Sequence, residues 1–247
     1  MVNTLRVRVL IFSNSDVVGS FIGGEGWGTM LARDDPSALE VTMVPFFPGA
    51  PTAAAYAAKK VTELEPDLVV LPVGGYGFTN GYVEFRVKRL FGSRAAAGYK
   101  AVERWFDGKT RTDGELPRGF NAFARNVLRH TIGTEPPTSQ AEITGYVCRT
   151  LDALAQFEET TTLLVTWYPG LGRNAEPKRL RNRSRFFKEI SDRATSHRFP
   201  VLAVDQVLER HGQAEQFVVD DIHFNTAGHR LIASSVREAI DRETVTG

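Results

Sequence analysis

The chain has 247 residues, of which 42% are hydrophobic and 24% charged, with a formal net charge of +1 and a single cysteine. These values suit one globular domain with a full core, and they exclude a disordered chain, a coiled coil and an internal disulfide. The small net charge gives no electrostatic reason to expect nucleic acid or a membrane surface as a partner. Because no apolar run has membrane-spanning length and no signal peptide is visible, we predict a soluble, cytoplasmic chain in which residues 1–247 form a single domain.

Apolar runs of strand length recur along the chain, rich in Val and Leu. They lie at 5–12, 39–46, 66–73, 161–168 and 199–204. Runs without strict alternation are typical of parallel strands that are buried on both faces. Helical patterns at 51–65, 178–197 and 225–243 alternate with these strands. The alternation predicts a three-layer α/β/α fold around a five-stranded, mainly parallel sheet of the flavodoxin-like type.

The connection between the third and fourth strands is too long for a simple crossover. Helix-like segments fill it, near residues 82–92, 98–107, 116–132 and 138–157. No flexible linker brackets these segments. We therefore predict a helical insert at about 78–157 within the single domain, instead of a separate domain.

The first strand carries polar residues to its carboxyl end, in "VLIFSNSDVVG". Sheets of this type bind ligands beyond the carboxyl ends of their strands, so Ser13 and Ser15 are expected at the functional edge. A Ser15 hydroxyl at this junction would stand beside free N–H groups and the dipole of the following helix, which favour a developing oxyanion. The competing interpretation is that Ser13 or Ser15 merely caps that helix.

A second polar segment, "VVDDIHFNTAGHRLIA", precedes the last predicted helix, for which Asn225 is the expected cap. Asp220 stands three residues before His223. At that spacing the carboxylate can accept the Nδ1–H of the imidazole, which leaves Nε2 free as a base. Most Asp-x-x-His pairs are surface residues, so this pair becomes significant only if a nucleophile lies within reach.

The polar segments, in their order along the chain, resemble the SGNH (GDSL-type) hydrolases. The resemblance rests on "VLIFSNSDVVG", on "GWGTMLARD" and "FFPGAPT" around the second strand, on "PDLVVLPVGG" at the third and on "DDIHFNTAGHRLIA". The family's Gly-Asp-Ser corresponds here to Ser13-Asn14-Ser15, and its glycine four residues after the serine corresponds to Gly19. The long insert lies outside the resemblance.

The resemblance implies the SGNH-hydrolase fold and a serine hydrolase that cleaves an ester or thioester of a small or acyl-bearing substrate. Ser15 would form the acyl-enzyme, His223 would act as the base and Asp220 would orient His223. The N–H groups of Ser15 and Gly49 would bind the oxyanion. No metal or organic cofactor is implied.

The family's asparagine oxyanion donor has no match after the third strand, where the chain reads Gly74-Gly75-Tyr76-Gly77. A third donor would be either Tyr76 or Asn80, and a plain flexible turn is an equal alternative. The departure leaves two further functions open on the same fold. One is an acyltransferase, and the other is a catalytically silent SGNH-like protein that only binds a ligand.

Basic residues cluster at the start of the helix predicted at 178–197, among them Arg179, Arg181 and Arg183. They form either a solvated helix face or a positive rim that receives an anionic group of the substrate. No fold that supports aromatic stacking on single-stranded nucleic acid is visible. The expected partner is therefore a small-molecule ester or thioester, with or without an anionic group.

Overall fold

The computed structural model of the chain contains a five-stranded sheet of parallel strands in the order β2-β1-β3-β4-β5. The structure describes residues 6–19, 25–34, 36–74, 83–112, 131, 138–167, 177–219 and 223–245. The strands are β1 (Val7–Ser13), β2 (Leu39–Pro45), β3 (Leu68–Gly74), β4 (Thr161–Trp167) and β5 (Val201–Ala203). The predicted five-stranded sheet is confirmed, and each of its strand pairings is parallel.

The burial of the strands agrees with their order in the sheet. The central strands β3 and β4 are buried almost throughout, because helices cover both of their faces. The order is that of flavodoxin-like folds, in which the chain changes direction across the sheet between β1 and β3. Such a switch point leaves a crevice beyond the carboxyl ends of these two strands.

Helices form the two outer layers. Among the described residues they are α1 (Ser15–Val18), α2 (Trp27–Asp34), α3 (Ala53–Leu64), α5 (Gln140–Leu154), α6 (Pro177–Ser196), α7 (Val204–His211) and α8 (Thr226–Val245), while α4 (Val83–Thr112) belongs to a separate compact unit of the chain. Helix α5 packs between α3 and α6, while α8 packs against α2 and α7. Right-handed crossovers place these two sets on opposite faces of the sheet, so the predicted three-layer α/β/α architecture is confirmed.

The chain divides into two compact units, one of Met1–Gly75 with Gln140–Gly247 and one of Tyr76–Ser139. Helix α5 belongs to the first unit, together with the sheet. In the second unit, Gly92 has φ +85° and interrupts α4. The Lys100 ammonium contacts the Glu84 carboxylate at 3.2 Å, so the chain reverses at Gly92, because a continuous helix would hold these two residues about 24 Å apart.

No described helix combines the length and the apolar character that crossing a membrane requires. Helix α6, for example, is long enough but carries charged residues along its length.

Candidate functional site

Ser15 is the first residue of α1, one residue beyond the end of β1. The cap of this helix is Asn14, whose Oδ1 accepts the Val17 N–H at 3.2 Å. The Asn14 carbonyl oxygen accepts the Val18 N–H at the same distance. Because Asn14 performs the capping, the interpretation of Ser13 or Ser15 as the cap is wrong, and the Ser15 hydroxyl is available for another role.

Gly19 ends α1 with φ +74°. Only glycine adopts this left-handed conformation without strain, and it is the usual conformation just beyond a helix C-terminus. The glycine four residues after Ser15 therefore stops the helix after a single turn. A helix this short has little macrodipole, so any stabilisation of an anion here depends on individual N–H groups.

Two glycines at the start of α2 let the backbone pack directly against α1. A β-carbon on Gly26 would lie 2.3 Å from the Val17 carbonyl oxygen and 2.3 Å from the Gly19 nitrogen. One on Gly28 would lie 2.5 Å from Val17 Cγ1. The "GWG" motif thus packs against the helical turn that carries Ser15. Trp27, between the two glycines, is 1% exposed.

Gly49 lies in the turn that follows β2, next to the Ser15 segment. Ser13 pairs with Pro45 in the sheet, and the Phe46 N–H donates to the Ser13 carbonyl oxygen at 2.9 Å. From this shared point the chain needs only a few residues to reach Ser15 beyond β1 and Gly49 beyond β2, and adjacent strands lie about 4.8 Å apart.

The backbone N–H groups of Ser15 and Gly49 are the candidate oxyanion donors. Among the residues that the structure describes, neither N–H has a hydrogen-bond acceptor. An arrangement that leaves both donors uncommitted can accept an oxyanion without first breaking hydrogen bonds.

His223 closes a hairpin in front of α8. The Val219 N–H donates to the His223 carbonyl oxygen at 2.8 Å, and Val218 pairs with Phe224 in an antiparallel bridge. The hairpin holds the two ends of the stretch 220–222 close together. The sequence pattern indicated only a loop here, because the pairing depends on contacts that its spacing does not reveal.

The side chain of Asn225 fixes this hairpin to α8. Asn225 Oδ1 accepts the Gly228 N–H at 2.9 Å, which confirms Asn225 as the cap, and Nδ2 donates to the Gln216 carbonyl oxygen at 2.7 Å. A β-carbon on Gly228 would lie 2.3 Å from the Phe217 carbonyl oxygen. The first turn of α8 is therefore pressed against the chain that carries His223.

His229 lies on α8 just beyond this hairpin and is 1% exposed. Its ring meets the Phe224 ring edge to face, with the centroids 5.8 Å apart. Burial, and secondarily the charge of His223, lowers the pKa of His229 to about 4. His229 is therefore a neutral neighbour of His223 at physiological pH.

Helix α8 also shows at which edge of the sheet His223 lies. Its last residues, Glu243 and Thr244, line a groove with Val7, Leu68 and Thr161, the first residues of three strands. A helix of 20 residues is about 30 Å long, somewhat longer than the height of this sheet. The start of α8, and His223 before it, consequently lie at the carboxyl edge, where β1 ends beside Ser15.

Other predicted site residues have different outcomes. Asp220, Tyr76 and Asn80 lie outside the described residues. For Arg179 and Arg181 only the backbone, within α6, is described. Arg183 is 8% exposed, so its side chain is not part of a solvated helix face.

No protein-family model matches the sequence, and no curated protein matches it. Solved structures do match. An acetyl xylan esterase aligns with 95% of this chain and 100% of its own at a TM-score of 0.57 and 14% identity. The fold is that of the SGNH (GDSL-type) hydrolases.

Two further structures agree. A lipolytic protein of the GDSL family from Veillonella parvula aligns with 96% of this chain and 99% of its own, at a TM-score of 0.53 and 11% identity. A psychrotrophic esterase from Pseudoalteromonas sp., in a structure inhibited by monoethylphosphonate, aligns with 96% and 98% at a TM-score of 0.50 and 13% identity. At these identities the SGNH likeness concerns the fold.

Within the SGNH fold, helix α2 packs against both α1 and α8, the helices that begin at Ser15 and shortly after His223. Among the described residues no group of three His, Cys, Asp or Glu side chains has the geometry of a metal site.

Proposed function

We propose that this protein is a serine hydrolase that cleaves a carboxylic ester or thioester through an acyl-enzyme on Ser15. The observation that carries the proposal is the pair of uncommitted N–H groups, on Ser15 itself and on Gly49, beside a serine hydroxyl that does not cap its helix. A nucleophile next to donors without acceptors is the arrangement that acyl transfer requires.

The reaction proceeds in two halves. The Ser15 Oγ attacks the carbonyl carbon while His223 takes the hydroxyl proton, and the N–H groups of Ser15 and Gly49 bind the resulting oxyanion. The alcohol or thiol then leaves with the proton from His223, which gives the acyl-enzyme. Water attacks the acyl carbon, His223 accepts its proton and returns it to Ser15 Oγ, and the carboxylic acid departs.

Asp220 acts on His223 in this proposal. Its support is the Val219–His223 hydrogen bond, which holds together the two ends of the stretch that begins with Asp220. A carboxylate there would fix the tautomer of the imidazole and stabilise the imidazolium. A third oxyanion donor, from Tyr76 or Asn80, would add to the two backbone donors.

Labelling with a fluorophosphonate probe tests the nucleophile. We expect the probe to modify the wild-type chain and the Ser13→Ala variant but not Ser15→Ala, because only an activated serine reacts. Ser13 is a matched control two residues away, and it is 6% exposed at the end of β1. Labelling that persists in Ser15→Ala would reject Ser15 as the nucleophile, whereas the absence of labelling from the folded wild type would reject the hydrolase in favour of a ligand-binding relative.

A further inference from the structure

Among the described residues of the unit that contains the sheet, large hydrophobic side chains are exposed at two places. Leu64 and Val201 are 37% and 36% exposed, and they precede β3 and begin β5, toward the amino edge. Val18, Phe47 and Val219 are 38%, 58% and 62% exposed, and they belong to the three segments that carry Ser15, Gly49 and His223. We call these last three residues the apolar rim.

Each member of the apolar rim lies close in the chain to a candidate catalytic residue. Val18 stands three residues after Ser15 in α1, a spacing that puts both on one face of a helical turn. The Phe47 ring lies over Gly49, where a β-carbon would be 3.1 Å from the ring. The Val219 N–H donates to the His223 carbonyl oxygen at 2.8 Å.

The chain segment that carries Phe47 is also uncharged. The segment 46–52, "FFPGAPT", contains no ionisable side chain. An apolar, uncharged wall is poorly suited to an anionic group and well suited to an alkyl chain, whose burial is driven by removal of apolar surface from water.

We propose that the apolar rim binds the acyl chain of the substrate, so that this protein prefers esters of medium-chain fatty acids over acetate. The inference rests on the proposed hydrolase function, because it identifies the group attached to the scissile carbonyl. An acyl chain that extends from a carbonyl at Ser15 would meet these side chains, because each of them lies within four residues of Ser15, Gly49 or His223 in the chain.

Initial rates on p-nitrophenyl acetate, butyrate, hexanoate and octanoate test the apolar rim. A fully buried methylene is worth about fourfold in kcat/KM, and one that is covered on a single side about twofold. We expect kcat/KM to rise by about twofold per methylene in the wild type. Phe47→Ser and Val219→Ser should each reduce that increase, because kcat/KM should fall more for the octanoate ester than for the acetate ester.

Leu64→Ser is the matched control, since it removes an exposed apolar side chain at the opposite edge of the same unit. We expect it to keep the wild-type dependence on chain length. Two variants are used because the Phe47 ring packs on Gly49 and its loss also disturbs that turn, whereas Val219 contributes to the hairpin through its backbone. A wild type that hydrolyses all four esters equally would overturn the apolar rim and leave the hydrolase intact.

Binding to Ser15→Ala separates the two proposals when no ester is turned over. Calorimetric titration with octanoate and butyrate should show tighter binding of octanoate, by about 16-fold for four methylenes, and loss of that preference in the double variant with Phe47→Ser. This result would retain the apolar rim even if the hydrolase fails. Equal binding of the two acids would overturn the apolar rim as an acyl-binding site. The same holds if the wild type is a dimer and Val219→Ser converts it to monomers without a change in chain-length preference.

Discussion

Gly26 approaches Val17 so closely that a β-carbon on Gly26 would lie 2.3 Å from the Val17 carbonyl oxygen. The contact joins the start of α2 to the single-turn helix that presents Ser15. The position of the proposed nucleophile therefore depends on a residue that never touches substrate.

The first prediction concerns this contact. Gly26→Ala should lower the free energy of unfolding by about 1–3 kcal/mol, because backbone atoms must move to admit the methyl group. It should also slow fluorophosphonate labelling of Ser15. Urea unfolding and the labelling rate measure the two effects.

Gly145→Ala is the control for this substitution. Gly145 lies in α5, where a β-carbon would come no nearer than 3.6 Å to the flexible Arg149 side chain. Alanine there should be neutral or stabilising by up to about 1 kcal/mol, since alanine is the better helix former. A Gly26→Ala variant that matches Gly145→Ala in stability and labelling would contradict the prediction.

The second prediction concerns the two hydrogen bonds of the Asn225 side chain. Asn225→Ala should cost about 1–2 kcal/mol of stability through the lost helix cap, and it should lower catalytic activity because the hairpin that carries His223 is released from α8. Asn225→Asp retains an acceptor for the Gly228 N–H but loses the donor to the Gln216 carbonyl oxygen. Thermal unfolding and kcat/KM should place Asn225→Asp between the wild type and Asn225→Ala. Equal effects of both variants would mean that the cap contributes nothing.

The third prediction is a pH dependence that arises from His229. Its pKa is lowered to about 4 in the folded protein, from the ordinary histidine value of 6.5 that the unfolded chain retains. The unfolded chain therefore binds a proton between these values while the folded protein does not, so the contribution to stability is complete above about pH 6.5 and is lost as the pH falls toward 4. The loss amounts to at most about 3 kcal/mol.

Replacing His229 by Gln isolates this contribution. At pH 8 the comparison of His229→Gln with the wild type reports only the altered packing against Phe224. Between pH 6.5 and 4 the stability of the variant should fall less steeply than that of the wild type in urea titrations. Parallel pH profiles would show that His229 titrates alike in the folded and unfolded states.

The fourth prediction compares two arginines on α6. Arg183 is 8% exposed, whereas the Arg185 side chain is 77% exposed and pairs with Glu189 at 2.9 Å. Arg183→Met should destabilise the fold by about 2 kcal/mol or more, because the buried Arg183 side chain takes part in interactions that methionine cannot replace. Arg185→Met should cost less than about 1 kcal/mol, as for other exposed ion pairs. Similar midpoints in chemical unfolding for the two variants would contradict the difference in burial.

Local chemistry in the sequence was sufficient for much of this structure. The strands are apolar runs, and such runs are buried in any fold that the chain can form. The observed bounds of the strands are within a few residues of the predicted ones. Asn225 is a cap because an asparagine before a helix satisfies an N–H two or three residues on, whatever surrounds it. Gly19 was matched to the family's glycine four residues after the serine, and its φ of +74° supplies the reason for that position.

Contacts between distant residues were decided only by the tertiary structure. Ser13, Asn14 and Ser15 are all suitable caps by composition, and the position at which β1 leaves the sheet selects Asn14. Arg183 and Arg185 are alike in sequence, and their different burial follows from the face that α6 turns toward the sheet. The hairpin from Val218 to Phe224 likewise depends on α8 packing behind it. A sequence pattern specifies interactions over a few residues, whereas such choices depend on strand register and helix packing, which join residues far apart in the chain.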